Sequence, residues 1–462
     1  MPLLIRNGRI ITATDDFVAD VYCAGETVTR IEKAIDPRSL VPDTEIIDAA
    51  GKYVFPGFID PHVHIYLPFM GTYAIDDYDS ASKAALAGGT TTLIEMICPG
   101  PTDEPMAAFE TWMSKAKGLA AVDWTFHMSV VRFEPSVRAQ FHDIVKAGVG
   151  SFKVFLAYKG ALNLTDGDLF AMMEQAKKWG VIVTAHCENA DSIDAMQKAL
   201  IAAGKTGPEW HGPSRPAVVE ADGVHHLCTF AELTGAHVYT VHTSCDLAVR
   251  EALAARYRGV NVWIESVTPH LVLDETFAER PRFEGAKWVM SPPLRHKSNQ
   301  DVLWHGLKSR AISTIGTDHA PFTTEQKTMG RDAFTRIPNG IPNLQERVDL
   351  VHTCGVRTGR LGLQAMVDAC STQAARIFGM YPKKGTVAVG SDADLVVYDP
   401  AWSGTFNKKD SYSKVDYNAF EGWEKKGRPS IVTVRGQVQV RDGQFVGTLG
   451  RGQFVAREPT HG

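Results

Sequence analysis

Residues 148–160 read GVGSFKVFLAYKG, an apolar run of β-forming residues that contains one lysine near its middle, Lys153. Such a run predicts a buried β-strand. The segment after it, residues 164–180 (LTDGDLFAMMEQAKKWG), is typical of a helix that ends at glycine. An unpaired ammonium group is costly to bury, so the rest of the chain must explain what neutralises or uses Lys153.

Seven other apolar or β-branched runs alternate with helical stretches. The eight runs span residues 53–64, 90–98, 123–131, 150–158, 181–189, 237–245, 260–266 and 311–321. Eight strand–helix units predict an α/β fold of the (β/α)8 TIM-like barrel type. An open doubly wound sheet is the alternative, but it usually has fewer strands. The glycine-rich fingerprints of dinucleotide and phosphate-loop sites do not follow the first run.

The two ends of the chain have a different pattern, with short, partly alternating β segments punctuated by glycine. These ends predict a small β-sandwich domain built from both termini. We therefore expect residues 1–51 to form its N-terminal part and residues 52–380 to form the barrel. Residues 381–462 would supply its C-terminal part and a tail.

Composition excludes several classes of protein. The 462 residues are 44% hydrophobic and 22% charged with a net charge of −5, which is ordinary for a globular enzyme. The absence of a basic stripe argues against a nucleic-acid partner. No apolar run approaches the ~20 residues of a membrane span, and no signal peptide is evident. Seven scattered cysteines indicate reduced thiols, so a cytoplasmic location without membrane association is expected.

Polar residues able to bind metal occur at the ends of five of the eight runs, which is the face where barrel enzymes place their active sites. Two of them are two apart on the first run, so their imidazoles point to the same side of a strand. Each one alone has an ordinary explanation, such as a hydrogen-bonded core histidine or a helix-capping aspartate. Six together favour a divalent metal site. They are His62, His64, Lys153, His186, His242 and Asp318.

Lys153 fits such a site only if its amine is modified. A protonated ammonium group has no lone pair and cannot bind a cation. A neutral amine that adds carbon dioxide becomes a carbamate, whose two oxygens can bridge two metal ions. The alternative is a lysine whose stem crosses apolar surface while its head reaches solvent. The surrounding histidines favour the carbamate.

Long local motifs add a family resemblance that covers nearly the whole chain. The chain resembles the dihydropyrimidinase/hydantoinase group of the amidohydrolase superfamily. The motifs that carry the resemblance are FPGFIDPHVH (55–64), LPFMGT (67–72), residues 76–96, SFKVFLAYKG (151–160), KWVMSPPLR (287–295), IPNGIP (337–342) and GSDADLVVYDP (390–400).

The resemblance implies a binuclear zinc centre and a ring-opening hydrolysis. His62, His64 and Asp318 would bind one metal ion, and His186 and His242 the other. An N6-carboxylated Lys153 and a hydroxide would bridge them. The hydroxide would attack a cyclic amide, a dihydropyrimidine or 5-substituted hydantoin, to give an N-carbamoyl amino acid.

The resemblance also implies roles for the remaining site residues. Tyr158 would stabilise the oxyanion and Asp318 would transfer the proton, which makes Lys153, Tyr158 and Asp318 the catalytic set. Ser291 and Asn339, with Tyr158, would hold the substrate. A homo-oligomer, either a tetramer or a dimer, is expected from the family.

Related activities are the alternatives, namely those of dihydroorotase, allantoinase and cyclic imidase. Dihydroorotases have arginine two residues after the second histidine, where this chain has Tyr66. Tyrosine cannot make a bidentate pair with a substrate carboxylate. A catalytically dead scaffold is the non-enzyme alternative, but all six ligand positions here hold competent residues. Departures from the group's pattern, such as Asn343 and Gln345, leave the exact substrate open.

The apolar side chains nearest these motifs give a hypothesis about selectivity. From their position alone, we expect three of them to shape the space for the ring substituent. They are Leu67, Phe155 and Leu162.

Overall fold

The computed structural model describes residues 2–459 and confirms the predicted α/β barrel fold with a second β region built from both termini. Each of the eight predicted runs overlaps one strand of an eight-stranded sheet whose neighbours are all parallel. In chain order the barrel strands are β1 (Phe58–Val63), β2 (Thr90–Ile97), β3 (Asp123–Ser129), β4 (Ser151–Phe155), β5 (Ile182–His186), β6 (Val238–Thr240), β7 (Val262–Val267) and β8 (Thr314–Gly316).

The barrel closes where the segment after β8 returns to the end of β1. The amide of Asp318 donates to the His62 carbonyl at 2.9 Å, and the amide of His64 donates to the His319 carbonyl at 2.8 Å. Closure therefore brings the carboxyl ends of the first and last strands together, which is the end of the barrel where active sites form.

Helices pack around the barrel and bury apolar faces against its strands. The helix Asp166–Trp179 ends at Gly180 in the left-handed conformation, as the sequence predicts, and the helix Asp246–Tyr257 ends just before Gly259. Among residues 2–459, none of the helices has the length and apolar character needed to cross a bilayer. The other α-helices are Tyr78–Ala87, Pro105–Ala116, Pro135–Lys146, Ala190–Ala202, Ala217–Thr234, Thr268–Val272, Ser298–Lys308, Thr324–Lys327, Arg347–Leu350, Leu363–Val367 and Gln373–Ile377.

The second β region is a mixed nine-stranded sheet whose two halves come from the two ends of the chain. They meet where Leu395–Thr405 runs antiparallel to Tyr53–Pro56, with Leu395 opposite Pro56 and Tyr398 opposite Tyr53. The other strands of this sheet are Leu3–Ile11, Asp16–Ala24, Thr27–Glu32, Glu45–Asp48, Glu424–Val434, Gln437–Arg441 and Gln444–Phe445, and a separate hairpin pairs Pro68–Phe69 with Thr72–Tyr73.

A buried ion cluster joins the barrel to the mixed sheet at the end opposite the site. The ammonium of Lys384 contacts carboxylate oxygens of Asp123 at 2.7 Å, Asp392 at 2.9 Å and Asp394 at 2.7 Å. Asp123 begins β3, and Asp394 precedes the strand Leu395–Thr405. The lysine charge therefore stabilises three acidic groups that would otherwise repel one another.

The first predicted run contains two strands rather than one, because the chain passes from the mixed sheet into the barrel within it. Tyr53–Pro56 belongs to the mixed sheet, which thus extends past residue 51, and β1 begins two residues later. Gly57 makes the crossing. A Cβ at this position would overlap Oγ1 of Thr91 and lie 2.8 Å from Cβ of Asp394, so only glycine fits between the two sheets.

Gly57→Ala is therefore expected to destabilise the protein by about 1–3 kcal/mol through overpacking. Gly167→Ala is the matched control, since Gly167 lies in the first turn of an exposed helix with its nearest neighbour 3.9 Å away. There alanine should be neutral or stabilising by up to about 1 kcal/mol. Thermal unfolding of both variants measures the difference, and equal midpoints would contradict the packing account.

Candidate active site

All nine residues predicted from the sequence to bind metal or substrate line one cavity of about 390 Å³ at the carboxyl end of the barrel. The six candidate ligands come from the ends of β1, β4, β5, β6 and β8, so residues up to 256 positions apart in sequence meet on one floor. The three candidate substrate contacts lie on the wall. They are Tyr158, Ser291 and Asn339.

His62, His64 and Asp318 form a tight group. The Oδ1 atom of Asp318 lies 3.1 Å from Nε2 of His62 and 3.2 Å from Nε2 of His64. Burial would raise the pKa of Asp318, but the His62 and His64 imidazoles hold it well below its ordinary value. Burial would lower the pKa of His62, but Glu265 and Asp318 raise it to about 9. A metal ion bound here would therefore displace a proton from His62.

His186 and His242 lie beside this group, with their ring centres 4.5 Å apart. Nε2 of His186 contacts a carboxylate oxygen of Glu188 at 2.7 Å, which leaves Nδ1 of this imidazole for another partner. Burial lowers the pKa of both imidazoles, and neighbouring positive groups add to the effect for His242. Both are therefore neutral and have a lone pair to offer.

Lys153 lines the same cavity as both groups of histidines and is only 1% exposed. Within residues 2–459 its ammonium makes no hydrogen bond or ion pair, and it lies 5.0 Å from the centre of the Phe155 ring. Burial lowers the pKa of Lys153 to about 8, although the carboxylates of Asp318 and Glu265 oppose the shift. The unprotonated, nucleophilic form of this amine is therefore more populated near neutral pH than it is in an ordinary lysine.

The donor set fits the metal centre that the resemblance implies. Ligand atoms of His62, His64 and Asp318 all lie within 4.8 Å of one another. Nδ1 of His242 is buried without a hydrogen-bond partner in the described chain, and the carboxylate of Asp318 is the ion-pair contact of Nε2 of His62. A second acidic group, formed by Asp123, Asp392 and Asp394, has similar spacing, but the ammonium of Lys384 already contacts all three carboxylates, and Arg435 pairs with Asp123.

Three of the site residues have left-handed backbone conformations that are unusual outside glycine. The φ angles are 63° for Tyr158, 40° for His242 and 51° for Asp318. Each residue follows the end of a barrel strand, where the chain turns sharply toward the next element. Such conformations are costly and persist where the surrounding structure enforces them, which is common at functional sites.

Tyr158 presents a protonated hydroxyl at the cavity wall. Burial raises its pKa to about 12, although the Arg215 guanidinium opposes this shift. The guanidinium carbon lies 5.5 Å from the centre of the Tyr158 ring, and Arg215 also pairs with Glu188, the partner of His186. The hydroxyl is thus held as a hydrogen-bond donor next to one of the candidate metal ligands.

Ser291 and Asn339 lie together on the wall, because Nδ2 of Asn339 donates to Oγ of Ser291 at 2.9 Å. His211 supports the same segment through Nε2, which lies 2.8 Å from the Met290 carbonyl and 3.3 Å from Oγ of Ser291. The rest of the wall is apolar, and Leu67, Phe155 and Leu162 all contribute to it, as the sequence predicts.

Buried carboxylates behind the ligands were missed by sequence reasoning. Glu265 accepts from Nδ1 of His62 and from the His242 backbone amide, both at 2.8 Å, so one carboxylate orients two candidate ligands. Glu188 does the same for His186. The signal was present, since Glu265 and Glu188 lie near the carboxyl ends of the seventh and fifth runs, as the ligands do in their own runs.

Comparisons with known proteins show which family the chain belongs to. A model of the amidohydrolase family matches residues 53–439. A D-hydantoinase from Geobacillus stearothermophilus is 43% identical, over 99% of this chain and 97% of that protein. A dihydropyrimidinase from Rattus norvegicus is 37% identical, over 99% of this chain and 89% of that protein. The solved structure of a D-hydantoinase (dihydropyrimidinase) from a Thermus species is 55% identical with a TM-score of 0.98, and the match covers 99% of this chain and 100% of that one.

Glu265→Gln is expected to weaken metal binding by about 10–100-fold, because the amide no longer orients His62 as a carboxylate does. Competition with a chromogenic chelator measures this affinity. Glu346→Gln is the control, since Glu346 is also buried but bonds to Asn418, outside the cavity. Equal affinities in the two variants would contradict the role given to Glu265.

Proposed function

The chain belongs to the amidohydrolase family, within its hydantoinase and dihydropyrimidinase group, and we propose that it opens the ring of dihydropyrimidines or 5-substituted hydantoins by hydrolysis. One observation carries the proposal: six residues able to bind metal, from five strand ends, meet on the floor of a cavity with an otherwise largely apolar wall. A polar floor beneath an apolar wall suits a small ring with an apolar substituent.

Two divalent ions, which we propose to be zinc, belong on this floor. His62, His64 and Asp318 would hold one and His186 and His242 the other, with an N6-carboxylated Lys153 shared between them. When bound, such a pair of ions supplies a hydroxide nucleophile at neutral pH and polarises the substrate carbonyl. The buried, partly neutral amine of Lys153 supports the modification, because only the unprotonated form can add carbon dioxide.

Asp318 and Tyr158 then handle the proton and the developing charge. The Asp318 carboxylate accepts a proton from the attacking water and returns it to the ring nitrogen as the carbon–nitrogen bond breaks. The Tyr158 hydroxyl donates a hydrogen bond to the oxyanion. One good donor of this kind lowers the activation free energy by about 3–4 kcal/mol. The water's hydroxyl remains on the carbonyl carbon, so the product is an N-carbamoyl amino acid.

Ser291 and Asn339 hold the ring while this occurs. Their segments border the cavity with Tyr158. Backbone amide and carbonyl groups of these segments would be complementary to the alternating N–H and C=O groups of a cyclic amide. Holding the ring in one orientation converts the attack into an effectively intramolecular step.

Two features of the wall weigh against dihydroorotate, which carries a carboxylate. No arginine is found among the described residues that line the cavity. Tyr66, at the position where dihydroorotases have arginine, lies outside the cavity lining, and its ring contacts Lys115 at 4.7 Å.

The test is a side-by-side assay of zinc-loaded protein with dihydrouracil, substituted hydantoins, allantoin and dihydroorotate. Ring opening of the first two in preference to the others supports the proposal. Preference for allantoin or dihydroorotate would overturn the substrate class. Protein that purifies without stoichiometric zinc and turns over none of the four would indicate a scaffold.

Lys153→Ala should reduce kcat/KM by at least about 1,000-fold, because the group shared by the two metal sites is lost. Added short carboxylic acids should restore part of the activity, since a carboxylate can take the place of the carbamate in the space left by the side chain. Loss of activity without any rescue, while both metal ions stay bound, would contradict the carbamate.

Phe155→Ala should shift the preference among 5-substituents by about 10-fold toward larger groups, because Phe155 lines the cavity and is only 6% exposed. Ratios of kcat/KM for a small and a bulky hydantoin measure the shift. Phe170→Ala, on the outer face of a helix, is the control. An unchanged ratio in the Phe155 variant would refute its role in selectivity.

Two further proposals concern the cellular location and the oligomeric state of the protein. We assign it to the cytoplasm, where its seven unpaired cysteines remain reduced. We also expect a homo-oligomer, a tetramer or a dimer, which sedimentation of the purified protein would reveal.

A further inference from the structure

Lys327 is a buried lysine outside the group of residues that the mechanism uses. It ends the short helix Thr324–Lys327 and is 1% exposed. Its ammonium donates three hydrogen bonds to backbone carbonyls, those of Val289 at 3.0 Å, Pro338 at 2.7 Å and Gly340 at 2.8 Å. An ammonium has three N–H groups, so its donors are fully used.

No carboxylate compensates this charge, since no ion pair of Lys327 exists within residues 2–459. Burial lowers the pKa of Lys327 well below its ordinary value, whereas the three carbonyls stabilise the charged form, which alone can donate to all of them. Burying such a charge is costly. What the buried ammonium does in this structure is hold the three carbonyls in fixed positions.

The three carbonyls belong to the two backbone segments that form the substrate wall. Val289 precedes Ser291 by two residues, and Pro338 and Gly340 flank Asn339 on both sides. The Gly340 amide also donates to the Val289 carbonyl at 2.9 Å. The Val289 carbonyl therefore accepts from both Gly340 and Lys327. The Lys327 side chain thus bridges the two segments from outside the cavity.

We infer that Lys327 is a positioning residue, which sets the spacing between the Ser291 and Asn339 segments and thereby the affinity for the cyclic amide. This inference rests on the proposed function, because it needs those segments to hold the ring. Lys327 does not line the cavity and contacts none of the candidate metal ligands. Its loss should therefore affect substrate binding and leave metal binding intact.

Lys384 is a matched control for this role. It is also a buried lysine with three oxygen partners, but its partners are carboxylates at the opposite end of the barrel. Lys384→Met should lower the thermal midpoint, because it removes the ammonium shared by three buried acidic groups, of which only Asp123 keeps a second basic partner, Arg435. It should leave the substrate wall in place.

The experiment compares Lys327→Met, Lys384→Met and the wild-type protein, each loaded with zinc, by steady-state kinetics on dihydrouracil and by metal analysis. Lys327→Met should raise KM by about 10-fold or more with a smaller change in kcat, since the ring contacts act in the ground state and the transition state alike. Both variants should keep the wild-type metal content, and Lys384→Met should keep its KM within about twofold.

An unchanged KM in folded, metal-loaded Lys327→Met would overturn the inference, as would an equal rise in KM in Lys384→Met. If the methionine variant does not fold, Lys327→Gln, which keeps two N–H donors, decides the matter: a KM raised by about threefold or more supports the role, and a wild-type KM overturns it. Failure of the proposed function is distinguishable, because the wild-type protein itself would then not open the ring.

Discussion

The site depends on a buried amine that has no partner among the described residues. Lys153 is surrounded by imidazoles and by the carboxylates of Asp318 and Glu265, yet its ammonium bonds to none of them. A charge in this position is unfavourable, and burial lowers the pKa of the amine to about 8. Conversion to a carbamate would replace the positive charge of the amine with a negative one. A negative charge is what two metal ions on the same floor would require.

The barrel makes this arrangement possible because it separates stability from chemistry. Its strands and helices bury apolar side chains along their length, while the carboxyl ends of the strands carry the reactive groups. Behind those groups, Glu265 and Glu188 each fix the orientation of an imidazole. At the opposite end, Lys384 and three aspartates tie the barrel to the mixed sheet. Buried charged groups therefore orient candidate metal ligands at one end of the barrel and join it to the mixed sheet at the other.

The sequence predicted the repeat of eight strands and the residues at their ends, because strand periodicity and strand-end position are local properties of the chain. It did not predict that the first run divides at Gly57, since that break depends on contacts with Thr91 and Asp394, far away in sequence. The left-handed backbone at His242 and Asp318 was equally invisible, because no glycine marks it.

Residues whose side chains bond to backbone groups far away in sequence were the hardest to predict from the sequence. Lys327 looks like a surface residue at the end of a short polar helix, and only the fold shows that its ammonium reaches three carbonyls. Glu265 was within reach of the same reasoning that found the ligands, because it too lies near the carboxyl end of a barrel strand. The substrate wall itself depends on how Ser291 and Asn339, 48 residues apart, come together.

The most direct measurement is a crystal structure of the active, metal-loaded protein, with anomalous scattering recorded at the zinc edge. The account predicts two metal peaks on the cavity floor and continuous density for a carboxylate on the Lys153 amine between them. An unmodified amine at Lys153 in protein that holds both ions and turns over substrate would contradict it.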